Sequence, residues 1–290
     1  MREFSSLIVE PSLIALISWW FGTGIILLLV RLPKEWFSSA RFFWSLISVP
    51  ALFFSFQSMQ ENSTSNAYLG FISTIVLWGW HELAFLTGWI TGSRKISLDT
   101  GLSFLNRFKQ SVQVIWHHEL ALFLNLLLLA AMQVGNPNHT SVCTFGLLWL
   151  MRLSSKLNLF FGVPQVGEKY LPTQLVYMGS YFRKQAVGLF FYFSMSISVV
   201  AWLALVWQAH EGQVAITIHW VLLASLLGLA IIEHILMMIP LSLERVWGWA
   251  LKNSDTQLGS ETPTIHRFDD PIITSISKPS LVVGSAMETK

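Results

Sequence analysis

An all-α, polytopic integral membrane bundle of seven helices is the fold the sequence predicts, and three observations predict it. Of 290 residues, 53% are hydrophobic and only 12% are charged, where soluble domains carry about 25% charge. Seven apolar stretches are long enough to cross a bilayer at about 1.5 Å per residue. Lys and Arg collect in every second link between those stretches. Cys143, the one cysteine, falls inside a predicted span. It offers no internal disulfide framework and no thiolate metal site by itself.

The spans fall near residues 9–30, 41–57, 66–90, 110–133, 141–161, 186–208 and 214–240. The first has no charge from Leu13 to Val30 and stops at Arg31-Leu32-Pro33-Lys34. Met1-Arg2-Glu3-Phe4 is not a strongly basic leader, so this run reads as a retained helix rather than a cleaved signal. The second is short and contains Pro50, so it is expected to tilt, kink or dip back. Gly135-Asn136-Pro137-Asn138 makes a turn between the fourth and fifth. Val163-Pro164 and Leu171-Pro172 bracket a loop after the fifth. Residues 1–250 read as one transmembrane domain. Residues 251–290, rich in Ser, Thr, Asp and Pro, read as a flexible cytoplasmic tail, with a short binding segment as the alternative.

The links set the direction. Arg31, Lys34 and Arg41 surround the first, Arg94, Lys95, Arg107 and Lys109 the third, and Lys169, Arg183 and Lys184 the fifth, while Arg245 and Lys252 follow the seventh span. The alternate links, around Glu61, His139 and His210-Glu211, have no Lys or Arg. The positive-inside rule then puts the N-terminus outside and the C-terminus in the cytoplasm. Topology accounts for the basic residues, so no nucleic-acid partner is called for; the partner that composition demands is the lipid bilayer.

Inside the apolar runs lie His81-Glu82, His117-His118-Glu119, Arg152, Lys156 and Glu233-His234. Ionisable groups in hydrocarbon are costly and are usually buried against one another or around a ligand. Counting along alternating helices places all of them in a slab roughly 8–15 Å from the cytoplasmic boundary. Arg152 and Lys156 are one turn apart on one face and would repel if unpaired, so opposing carboxylates are expected from Glu82, Glu119 or Glu233. Of His117 and His118, only one can face the cluster. His81, His118 and His234 are the candidate ligand-binding residues; Glu82, Glu119, Arg152, Lys156 and Glu233 form the charge network.

Four readings of that layer stay open. It is a structural network holding helices in register, a site where a His meets a tetrapyrrole, a metal-dependent enzyme, or a relay for transport. Neither His-Glu-Leu-Ala-Phe nor His-His-Glu-Leu-Ala completes the His-Glu-x-x-His pattern of zinc hydrolases. No catalytic residue is assigned. The last span has no Lys for a retinal Schiff base, and no matched repeat points to a transporter.

Trp19-Trp20-Phe21-Gly22-Thr23-Gly24, Trp78-Gly79-Trp80-His81-Glu82 and the run from Met151 to Phe160 resemble one membrane family, as do His118-Glu119-Leu120-Ala121-Leu122 and Glu233-His234. It is the photosynthetic complex assembly family encoded with reaction-centre genes in purple bacteria, and the resemblance covers roughly residues 8–250. The resemblance implies an inner-membrane factor supporting the reaction centre and its core light-harvesting complex. Its implied partners are reaction-centre and light-harvesting subunits, and its implied ligand is bacteriochlorophyll or a tetrapyrrole precursor. A membrane enzyme of bacteriochlorophyll metabolism and a pigment transporter are the rivals.

Overall fold

The computed structural model describes residues 5–168, 171–211 and 214–239. A π-helical turn, Ser5–Val9, leads into α1, Glu10–Val30; α2 is Phe37–Met59, α3 Thr64–Leu86 and α4 Phe104–Gln133. Then come α5, Thr140–Phe161, α6, Leu189–Glu211, and α7, Val214–Leu236. Six of these helices are long and apolar enough to cross a membrane. The exception is α5, where Arg152, Ser154, Ser155, Lys156 and Asn158 lower the apolarity of an otherwise sufficient length. The expected tail, 251–290, lies outside the described residues.

Helix starts follow local chemistry. Pro11 sits in the first turn of α1, where a missing N–H costs nothing. Ser63 and Ser103 cap α3 and α4, each accepting a bond from the backbone N–H of the Asn three residues on. Boundaries of α2, α3, α4, α6 and α7 differ from the sequence expectation by a few residues, and two of them show why. α3 stops at Leu86 rather than 90 because Thr87 Oγ1 bonds Leu83 O at 2.7 Å and Gly88 turns the chain at φ +74°. Trp89 and Ile90 N–H then both donate to Ala84 O. α4 starts at 104, not 110, because the Ser103 cap nucleates it earlier.

The second helix corrects another expectation. It is 23 residues long and continues through Pro50. What holds it is α3: Trp44 Nε1 donates to Val76 O at 3.0 Å, and Trp80 Nε1 to Ser45 Oγ at 2.7 Å. Gly79 makes room for the Trp44 ring, since a methyl there would lie 2.7 Å from it.

The odd-numbered helices form the centre, with α3 touching α1, α5 and α7, while α2, α4 and α6 pack outside them. α4 buries one narrow stripe of Val114, His118, Leu122, Leu129 and Gln133 and leaves the rest to the surroundings. The link after α3 is pinned to α4. Gly92 lies so close that a Cβ would fall 2.0 Å from Gln113 O, and Thr91 O accepts the His118 N–H at 2.9 Å.

The same end carries a cap. Arg94 Nε donates to Tyr181 Oη at 2.8 Å, Tyr181 Oη donates to Ile96 O, and Arg107 Nη2 reaches both Phe160 O and Tyr181 O. Together these tie the 87–103 link to the 3-10 segment Thr173–Tyr181. Gln165 N–H adds a bond to Met237 O beyond α7.

Candidate functional site

Helix ends in this bundle are staggered, so the charged groups meet although their counts from the ends differ. Glu82 is about 6 Å from the end of α3, Arg152 about 14 Å from the end of α5, and Glu119 about 22 Å from the start of α4. Arg152 Nη2 donates to Glu82 Oε2 at 3.0 Å. One turn on, Lys156 Nζ donates to Glu119 Oε1, and Trp149 Nε1 donates to Glu119 Oε2 at 3.0 Å. The two like charges on α5 are thus each met by a carboxylate from a different neighbour.

Glu233 does something else. It accepts from Trp19 Nε1 at 3.0 Å and is exposed on the α1–α7 side. Three carboxylates share the region with two cations, and Glu233 is the one without a direct ion pair among the described residues.

The three candidate histidines are buried, with 4% exposure for His81, 0% for His118 and 2% for His234. Their partners separate them. His234 Nδ1 lies 2.8 Å from Ala230 O and Nε2 3.1 Å from Ser154 Oγ. The carbonyl fixes the proton on Nδ1, so Ser154 donates to Nε2, and both ring nitrogens are used. Asn125 Nδ2 donates to His81 Nε2 at 2.7 Å. His118 has no bonding partner on either ring nitrogen. Its ring lies against Phe85, with centroids 4.4 Å apart, so it is sealed as well as unpaired. His117 and Trp116 face outward, as expected of the neighbouring positions.

On the other side of Phe85 is a cavity of about 230 Å³. Arg152, Ser155 and Lys156 of α5 line it, with Ser111 of α4 and an apolar wall that includes Leu159, Phe160 and Phe182. Lys156 Nζ also stands 5.2 Å from the Phe85 ring centroid. No group of three His, Cys, Asp or Glu side chains comes together to hold a metal among the described residues.

Several partners escaped the sequence reading. Trp19 and Trp149 act as carboxylate donors, and indoles in membrane spans read first as packing or interface belts. Asn125 and Ser154 gave a visible signal, a polar residue in an apolar span, but not their histidine partners. His219, inside α7, was passed over; its Nδ1 lies 2.8 Å from Thr140 Oγ1 near the far end of the bundle.

Comparison with known proteins gives a family and no mechanism. Residues 5–258 match the model of a family described as a protein of unknown function, DUF3623. A Rhodobacter capsulatus protein, described as an uncharacterized 30.4 kDa protein in the puhA 5' region, is 34% identical over 252 residues. That alignment covers 83% of this chain and 91% of the relative. No solved structure matches.

Proposed function

We propose, for a chain that belongs to the DUF3623 family, a non-catalytic role in assembling the photosynthetic reaction centre with its core light-harvesting complex. The observation that carries this reading is the relative's place beside puhA, a reaction-centre gene. An all-helical chain with six membrane-length apolar helices is the right kind of molecule to work on such subunits within their own bilayer. In this reading α5 crosses as the seventh span. Its charges are met by Glu82 and Glu119 inside the bundle, which removes the cost of leaving them in lipid. The N-terminus is then periplasmic and the C-terminus cytoplasmic, in the inner or intracytoplasmic photosynthetic membrane, as the Lys and Arg of alternate links require.

The cavity is small for a whole bacteriochlorophyll. Its volume is below the roughly 300–1,000 Å³ of cavities that enclose small molecules. His118, the candidate with both ring nitrogens unused, lies behind Phe85. Accordingly, the charged layer is assigned the work of holding α3, α4 and α5 in register, with partner subunits meeting the outer apolar faces.

Replacement of His118 by Ala in the photosynthetic host tests the role. Reaction-centre and core-antenna absorbance is expected to fall in step with the abundance of the folded variant. A larger fall in absorbance than in abundance would overturn the structural assignment and point to a specific role for His118. Normal complex levels in a strain lacking the whole protein overturn the assembly reading. Reporter fusions at 135–138 and at 183–185 test the topology, which requires them on opposite sides.

A further inference from the structure

We propose that the cavity beside α5 is a binding site for a small amphipathic acid, or for the acidic end of a longer one. The inference stands apart from the assembly reading, since it rests on the cavity's own walls. Arg152 and Lys156 both line it, and among the described residues no Asp or Glu does. Their carboxylate partners, Glu82 and Glu119, hold them from outside the lining. Neutralisation therefore comes from residues that do not line the cavity, and its described lining holds two cationic side chains and no carboxylate.

The donors on these two cations are numerous. Arginine carries five N–H groups and lysine three. Arg152 gives one bond, to Glu82, and its buried Nε has no acceptor. Lys156 gives one bond, to Glu119, and otherwise stands over the Phe85 ring. Anionic oxygens make the strongest acceptors for cationic N–H groups. Ser155 and Ser111 add hydroxyls to the same lining.

The remaining wall is apolar. Leu159 and Phe160 continue α5 beyond the cations, Val114 and Ile115 come from α4, and Met178 and Phe182 come from the cap. A carboxylate or phosphate at Arg152 and Lys156 would thus carry its hydrocarbon along α5 towards the cap. At about 30 Å³ per water, the volume equals about eight waters. It suits a short-chain or single-ring acid and not a macrocycle.

The experiment uses the full chain purified in nanodiscs free of fatty acid. Octanoate is titrated calorimetrically against octanamide, octyl phosphate and acetate. Saturable octanoate binding is expected, with octanamide weaker by at least about tenfold, the scale of a lost charge-assisted bond. Leu159→Trp, which fills the apolar end without touching a charge, should abolish binding while leaving the melting temperature unchanged. Glu119→Gln with Lys156→Gln keeps the pair neutral and should weaken octanoate by about tenfold. Tighter binding of octyl phosphate would support the site and assign it to a phosphate headgroup. Equal binding of octanamide, equal binding of acetate, or indifference to Leu159→Trp would each overturn the proposal. So would no binding at all, which leaves a cavity filled by water.

Discussion

Towards the end that carries residues 60–63 and 134–139, α2, α3 and α5 meet through short hydroxyl side chains; towards the capped end α3, α4 and α5 meet through long charged ones. Ser55 and Ser73 lie 2.9 Å apart across α2 and α3, and Ser58 and Ser141 lie 3.2 Å apart across α2 and α5. Ser141 also donates to Gly70 O, and Thr140 to Asn138 Oδ1. Small side chains let backbones approach, and each of these hydroxyls is satisfied by a neighbour that approach brings near. The charged layer reverses the relation. Arg152, Lys156, Glu82 and Glu119 meet through long side chains, and a cavity lies beside the two cations. Among the described residues Glu82 Oε1, Arg152 Nε and both nitrogens of His118 lack partners there, as Tyr68 Oη, Gln133 Oε1 and Thr144 Oγ1 do towards the other end. The hydroxyl layer does the work of close packing, and the charged layer has capacity to spare for something else.

The largest expected effect breaks the charged layer from one side. Arg152→Met leaves Glu82 buried without its cation and should cost about 3–5 kcal/mol, towards the lower end because Arg152 is 35% exposed. Removing both partners, as Glu82→Leu with Arg152→Met, should recover most of that loss, because an apolar pair leaves nothing unpaired. Thermal unfolding in a fixed detergent reads both. If the double variant is no more stable than the single one, the two residues are not coupled as the structure has them.

The sharpest test of the other layer is Gly70→Ala. A methyl at Gly70 would lie 2.8 Å from Ser58 Oγ and 2.9 Å from Ser141 Oγ, so it pushes on α2 and α5 together. Overpacking of this kind costs about 1–3 kcal/mol. Adding Ser58→Ala should return only part of the loss, since Ser141 still blocks the site. A fully stable Gly70→Ala would mean that this layer is looser than its geometry requires.

The two layers also differ in how much of them the sequence displayed. Charges in apolar runs announce themselves, and rise counted from the expected span ends groups Glu82, Glu119, Arg152 and Lys156, although the observed helix ends are staggered and their counts differ. Rise does not give azimuth, so it could not say that Glu82 takes Arg152, that Glu119 takes Lys156, or that Glu233 turns to Trp19. Nor could it see that Phe85 covers His118, because a Phe in a span looks the same wherever it points. The hydroxyl layer was silent for a different reason. Serines and glycines are ordinary in membrane helices, and Gly70, Ser58 and Ser141 acquire meaning only when three helices converge. Helix ends lay between these cases: Thr87-Gly88 and Ser103 are local signals strong enough to overrule the apolar runs around them.

The smallest effect concerns the cap, outside both layers. Gln110 Nε2 donates to Asp99 at 2.6 Å and Arg94 donates to its other oxygen, and these bonds hold the Asp99 carboxyl below its usual 3.8 against a lesser opposing effect of burial. A carboxyl lowered in the folded state contributes stability above its unfolded pKa, and that contribution fades as acidification carries it through the lower folded value. Amide exchange across 94–99 should therefore quicken below about pH 4, relative to Asp99→Asn measured at each same pH so that intrinsic rates cancel. At neutral pH the variant should exchange faster than the wild type, and the two should converge in acid. Helix amides around Gly70 and Arg152 should be indifferent to the substitution. If those core amides follow the cap instead, the 87–103 link is a structural part of the charged layer, and the boundary drawn between them is in the wrong place.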